Sequence, residues 1–229
     1  MTLPRRPTCL ILAATMLSVA ACSGDEASSR PASQVLAEAK TNLDETSGVR
    51  VLLATERLPP GVDGVISADG VGTHPPAFEG DLKVSSGGIT ADAAVVAVDD
   101  VVHAKLPFTT EFVPIDPADY GAPDPADLLS TDQGLSSLLT DAEDVEEAEQ
   151  VRQGEAVLTE YTATLPGESV ARVIPSAAAG STFDATFTVT DDDVLDEAVL
   201  TGPFYPDSPD VTYSIAFDDY GTEQDITAP

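Results

Sequence analysis

The chain has 229 residues, with 40 aspartates and glutamates against 10 lysines and arginines and a formal net charge of −30. A field of that sign repels nucleic-acid phosphate and anionic headgroups, and it excludes nucleic acid as a partner. There are only two cysteines, and one falls in the leader described next, so neither a disulfide framework nor a thiolate metal site is available.

The first residues carry Arg5 and Arg6, followed by an apolar run from Cys9 to Ala21 broken by Thr15 and Ser18. That run is well short of the roughly 20 residues a helix needs to cross a bilayer. A charged start, a short apolar stretch and small residues at its end are the layout of a secretory signal peptide over residues 1–21. The stretch V19-A-A-C22 resembles the lipobox of bacterial lipoproteins. Cleavage between Ala21 and Cys22 then leaves Cys22 as the acceptor of a diacylglycerol thioether. Two or more acyl chains at one residue hold far better than the marginal single chain, so the expected location is the extracytoplasmic face of the cell membrane, lipid-anchored (palmitate-type acylation). Residues 22–33, the lipidated cysteine followed by small and polar residues, read as a flexible tether. Residues 34–229 read as one domain.

That domain opens with a helix, because Val35, Leu36, Ala39 and Leu43 recur near a 3.6 spacing, with Ser33 as cap and an end near Glu45. Strand patterns follow at 49–57, 64–72, 78–84, 89–98, 101–106 and 112–115, separated by P-P-G, H-P-P, S-S-G-G and D-D turns. Asp124 and Pro125 suit a helix start, and the leucines at 128, 129, 135, 138 and 139 predict two short helices meeting near Thr131. The acidic run 141–149 reads as a solvated face or loop; it lacks the ligand alternation and central glycine of a calcium loop. A strand at 156–165 and a helix at 168–177 come next. Phe183, Ala185, Phe187 and Val189 then alternate with polar residues, as do Val211, Tyr213, Ile215 and Phe217, and D191-D-D193 reads as a hairpin turn. About eleven strands with three or four helices read as an α+β domain in which helices cover one face of a curved antiparallel sheet. A sheet that curls without closing leaves a concave space that becomes an apolar pocket where large side chains do not fill it.

The sequence offers little to catalysis. There is no G-x-S-x-G, no H-E-x-x-H and no G-x-x-x-x-G-K. The two histidines, His74 and His103, fall in different elements, one in a turn and one in a strand. No metal ligand set and no cofactor motif is present, and the protein is read as not an enzyme.

V19-A-A-C22, the helix V35-L-A-E-A-K-T-N-L43, the hairpin G80-D-L-K-V-S-S-G-G88 with D99-D-V-V-H-A-K-L106, and D124-P-A-D-L-L-S-T-D-Q-G-L-S-S-L-L139 together resemble the LppX/LprAFG lipoproteins of mycobacteria and other actinobacteria, from about residue 33 to 227. The resemblance implies a half-barrel enclosing a large apolar cavity for acyl chains of cell-envelope lipids or glycolipids. It implies a carrier that moves them across or within the envelope, in some members alongside a membrane lipid exporter. On the strands that match the family's cavity wall, Leu82 and Val84 are expected to line it, joined by Val96 and Val102 from neighbouring strands. A sealed cavity of about 1,000 Å³ or more follows from that reading. The strong acidity points to a neutral or weakly charged headgroup at its mouth. The competing reading is a surface lipoprotein that acts through protein contacts, as scaffold or accessory of a membrane complex; it predicts an exposed apolar patch instead.

Overall fold

The computed structural model describes residues 30–229 apart from 108, 121 and 155. The predicted signal peptide, its cleavage junction at Ala21, Cys22 and most of the tether lie outside the described residues. Helix α1 (Ala32–Glu45) buries the four residues whose spacing predicts it, Val35, Leu36, Ala39 and Leu43. It starts two residues earlier than a Ser33 cap would place it. Pro31 occupies the capping position without a side-chain bond, and its carbonyl accepts from the Gln34 and Val35 amides. Proline supplies a fixed φ at a point where the helix needs no donor.

After α1 come β1 (Gly48–Ala54), β2 (Gly64–Thr73), β3 (Ala77–Ser86), β4 (Ile89–Val98), β5 (Val101–Lys105) and β6 (Val113–Ile115). A long crossover follows, with 3-10 turns at Pro117–Tyr120 and Asp127–Leu129 and the short helix α2 (Ser137–Asp141). The chain then runs through β7 (Glu143–Gln153), β8 (Ala156–Pro166), α3 (Gly167–Val173), β9 (Thr182–Thr190), β10 (Leu195–Gly202) and β11 (Val211–Asp218). All eleven strands form one antiparallel sheet in the order β6-β5-β4-β3-β2-β1-β11-β10-β9-β8-β7. The first and last strands therefore meet at the centre, while β6 and β7 form opposite edges that do not pair with each other. The result is a curved, unclosed half-barrel with few helices.

Hairpin chemistry fixes the register on one wing. Gly87 and Gly88 between β3 and β4, and Asp99 and Asp100 between β4 and β5, all have positive φ. That is the requirement of a two-residue turn whose twist matches the strands. With the register set, one row of paired residues runs Phe187, Ala198, Ile215, Leu53, Ala68, Leu82, Ala93 across seven strands. The next row on the opposite face runs Thr186, Val199, Ser214, Ala54, Ser67, Lys83, Asp92. The apolar row faces the helices and the mainly polar row faces solvent, which is why the sheet bends around the former.

The concave side is filled unevenly. Over β8 to β11 the helices build a continuous core around Leu36, Leu43, Leu138, Leu139, Phe183 and Phe187. Lys40 ties α1 to the crossover through the Thr131 carbonyl at 2.6 Å and the Ser136 hydroxyl at 3.3 Å. Arg172 of α3 reaches Asp141 at the end of α2 at 2.7 Å. Over β3 to β6 the core is smaller, with Phe78, Val95, Ala97, Val102 and Ala104 under Ala126 of the crossover.

Three local expectations change. The acidic run, read as a solvated face or loop, is a solvated face in strand form: it begins the edge strand β7, almost wholly exposed and irregular in its pairing with β8. Its carboxylates keep a bare strand edge from pairing with another chain. Asp124 does not open a helix; its Oδ1 accepts from the Ala126 amide at 2.8 Å, a local turn that precedes a single 3-10 turn. The helix expected at 168–177 ends at Val173.

Close backbone approach on the concave side depends on Gly70 and Gly80, which pair across β2 and β3 beneath the Phe78 ring. A Cβ at Gly80 would stand 2.5 Å from the Asp69 carbonyl oxygen and 2.6 Å from the Gly70 Cα. Neither backbone atom can move without breaking the ladder. Gly80→Val should therefore destabilise the fold by about 1–3 kcal/mol, read as a lower urea midpoint at unchanged slope.

Candidate functional site

Where the helical cover thins, two adjoining pockets open on the concave face. The first, about 80 Å³, lies between Val51, Leu53, Ala68 and Leu82 of the sheet and Leu128, Leu129 and Ile174 of the cover. The second, about 50 Å³, lies between Leu82, Val84, Val95 and Val102 of the sheet and Pro117, Tyr120 and Pro123 of the crossover. Leu82, Ala122, Pro123 and Pro125 line both. The roof is suited to its place by composition. Pro117, Pro123 and Pro125 have no backbone N–H, so a segment with little regular structure can lie on apolar side chains with fewer donors left unpaired.

Of the residues expected to line the interior, Leu82, Val84 and Val102 face these pockets. Val96 does not. The pairing of Leu82 with Ala93 puts Ala93, Val95 and Ala97 on the concave side of β4, so the pleat turns Val96 to the convex side. There it packs with Ala77 and Ile226, where the C-terminal segment returns over the sheet and Gln224 bonds Glu79 at 2.7 Å. The placement of Val96 in the interior is corrected accordingly.

The volume is also smaller than expected. In place of one sealed space of about 1,000 Å³, the structure has the two pockets of about 80 and 50 Å³. Leu129 is one reason, since it descends from the crossover to the place a Cβ on Gly72 would occupy, with its Cγ 2.6 Å from that position. Phe78 and Tyr213 of the sheet and Tyr205 of the β10–β11 connection fill further space. Sequence reading missed these fillers and the proline roof. The signal for the roof was present in A122-P-D-P-A126, but an aspartate before a proline reads equally as a helix start.

Among the described residues no group of three or more His, Cys, Asp or Glu is placed to hold a metal ion, and no helix is long and apolar enough to cross a membrane. His74 bonds the Leu43 carbonyl at 3.3 Å, and His103 sits on β5 opposite Val96. The carboxylates lie mainly on turns, edges and the convex face.

An open half-barrel whose concave wall is apolar and whose cover is a proline-rich strap is a scaffold for sheltering apolar ligands. The chain belongs to the LppX_LprAFG lipoprotein family, whose model matches residues 31–227. It is 28% identical over 146 residues to the lipoarabinomannan carrier protein LprG of Mycobacterium tuberculosis, and equally to that of Mycobacterium bovis; the aligned part is 58% of this chain and 59% of the relative. The chain thus spans about three fifths of the length of the curated relatives it matches. The crystal structure of LprF from Mycobacterium bovis superposes with a TM-score of 0.71 at 16% identity, covering 86% of this chain and 96% of LprF. The crystal structure of the Mycobacterium tuberculosis lipoprotein LppX gives 0.62 at 16% identity, covering 86% and 98%. At those identities the two structures establish the shared fold.

The roof carries a half-buried carboxyl, that of Asp124. Burial pushes the Asp124 carboxyl above the ordinary carboxylate range; the Ala126 amide opposes that rise, and Asp127 and Asp100 add to it. A carboxyl whose pKa is higher folded than unfolded binds its proton more tightly in the folded chain. Its contribution to stability is therefore present at low pH and lost as pH rises through the folded value. Asp124→Asn keeps the acceptor for Ala126 and removes the charge. It should melt at a higher temperature than the parent at pH 7, with the advantage shrinking as pH falls toward about 4. An advantage independent of pH in thermal melts would assign the effect to packing instead.

Proposed function

We propose that this protein is a membrane-anchored lipid carrier. It holds the acyl part of a cell-envelope lipid or glycolipid between the sheet and the crossover and moves it within the envelope without making or breaking a bond. The observation that carries this reading is the pair of adjoining apolar pockets under the roof of residues 117–125, in a chain that belongs to a lipoprotein family. Acyl chains in water expose apolar area worth about 25 cal/mol per Å², so transfer into a dry, apolar interior is favourable. The volume in this structure requires the interior to widen on binding. The part able to give way is the crossover over β3 to β6, which lacks long helices and rests on the smaller core.

The relatives named as lipoarabinomannan carriers support an envelope glycolipid as cargo class. The acidity of this chain favours a neutral or weakly charged headgroup. Lipidation at Cys22, after cleavage at Ala21, would attach the domain to the membrane. Cys22 lies eight Cα–Cα steps before Arg30, the first described residue, so that stretch of chain reaches at most about 26–29 Å. The protein-contact reading finds less support. The large apolar side chains exposed among the described residues are spread out: Ile89 begins β4 and Val101 pairs with Val98 at its other end, Val113 pairs with Ala104 at the far end of β5 from Val101, and Val151 is on the opposite edge of the sheet.

Two measurements test the proposal. Native mass spectrometry of the protein expressed in an actinobacterial host should show a stoichiometric acyl lipid. Leu82→Trp, which fills the wall common to both pockets, should reduce its occupancy at least tenfold while the protein stays folded. A clean unliganded mass from the parent protein would overturn the carrier reading. In the same host, Cys22→Ala should move the protein from the membrane pellet to the soluble fraction; unchanged pelleting would remove Cys22 as the anchor.

A further inference from the structure

The larger pocket is apolar except at one end. Among its lining residues the side-chain polar atoms are two hydroxyls, those of Tyr205 and Tyr213. The hydroxyls are 2.8 Å apart, and that of Tyr213 donates to the Val65 carbonyl at 2.7 Å, beside the point where the β2–β3 register shifts. Each phenol has one proton to give. The Tyr213 proton goes to Val65, so the bond between the two tyrosines is donated by Tyr205 to the Tyr213 oxygen. Both protons are thereby committed, and what the pair offers the pocket is acceptor capacity on the Tyr205 oxygen.

The arrangement is held rigidly. The Tyr213 ring meets Phe204 edge-on at 5.2 Å, and Phe204 meets Phe183 at 5.0 Å. Tyr205 and Tyr213 are only 8% and 6% exposed. Room for the Tyr205 hydroxyl depends on Gly64, where any Cβ would collide with it. Away from water, a fixed acceptor favours a partner that brings a proton and does nothing for one that brings only lone pairs.

Resting on the carrier reading above, we propose that the Tyr205–Tyr213 pair selects cargo by hydrogen-bond polarity. It favours lipids that carry a donor, a free hydroxyl or an amide N–H, at the end that reaches this pocket, over otherwise similar lipids whose polar atoms are all ester or ether acceptors. The selecting residue is Tyr205; Tyr213 acts through it by fixing where its proton points.

The test uses a matched pair of single-chain probes, hexadecanol and its methyl ether, which differ at the polar end by the donor and a methyl group. Each competes with a fluorescent fatty-chain probe bound to the purified protein. The parent protein should bind the alcohol about two- to tenfold more tightly than the ether. Tyr205→Phe should abolish that preference and leave the ether's affinity unchanged. Tyr213→Phe frees the Tyr205 proton for the ligand, so it should shift the preference toward the ether. Equal binding of alcohol and ether by the parent protein overturns the selection while leaving the carrier reading in place. Failure of the parent protein to bind the fluorescent probe or either competitor overturns both. If Tyr205→Phe does not fold, the parent protein's own preference and the Tyr213→Phe shift decide the matter.

Discussion

The rest of the structure depends on one topological constraint: the chain leaves the sheet at one edge, β6, and must re-enter it at the other, β7. Both meanders are local, built from hairpins, and either could be drawn on a flat sheet. The connection between them cannot, because it has to traverse the sheet's width. It does so on the apolar side, where Leu128, Leu129, Leu135, Leu138 and Leu139 find partners. Everything proposed as functional follows from that traverse. The same segment completes the main core at its α2 end and roofs the pockets at its proline-rich end. It serves both by changing composition along its length, from leucine pairs that anchor to prolines that cover.

The fold was legible because the strands carry their faces in their letters. Phe183 to Val189 and Val211 to Phe217 alternate cleanly, and each buries the predicted face. The helix α1 was equally plain from four apolar residues. What sequence could not supply was anything decided by a partner far along the chain. Val95 and Val96 are adjacent and equally apolar, so period-2 reading cannot say which one faces inward. The answer comes from the register with β3 and from Ile226, a residue of the C-terminal segment that gives Val96 a reason to be apolar on the outer face. The acidic β7 illustrates the opposite failure. Strand propensity argued against it, and its position at the sheet edge, where charge is an advantage, overrode propensity.

The candidate site was half legible for the same reason. Leu82, Val84 and Val102 lie on strands whose alternation sets their side, and the structure turns all three toward the pockets. Tyr205 lies in the connection between β10 and β11 and shows no periodicity; its meaning appears only when Tyr213, Val65 and Gly64 are brought beside it. The size of the interior was least legible of all. A count of aromatic residues says how much bulk is available, not where the crossover will deliver a leucine. Here Leu129 and Phe78 occupy space that a curved sheet alone would leave open.

The central seam has a consequence for how the domain comes together. Between β1 and β6, and again between β7 and β11, each strand pairs with its sequence neighbour, so each wing closes only local connections, one of them through α3. The β1–β11 pairing, from Arg50–Asp218 to Ala54–Ser214, joins opposite ends of the chain across five residue pairs. Loop-closure entropy grows with the length enclosed, which makes this the entropically costliest joint in the sheet. Among the described residues it is also the only strand pairing that links the two wings. The pocket walls come from both wings, Leu82 from one and Leu200 from the other. The pocket therefore forms only when the seam does, and its shape inherits whatever hinge freedom those five pairs retain.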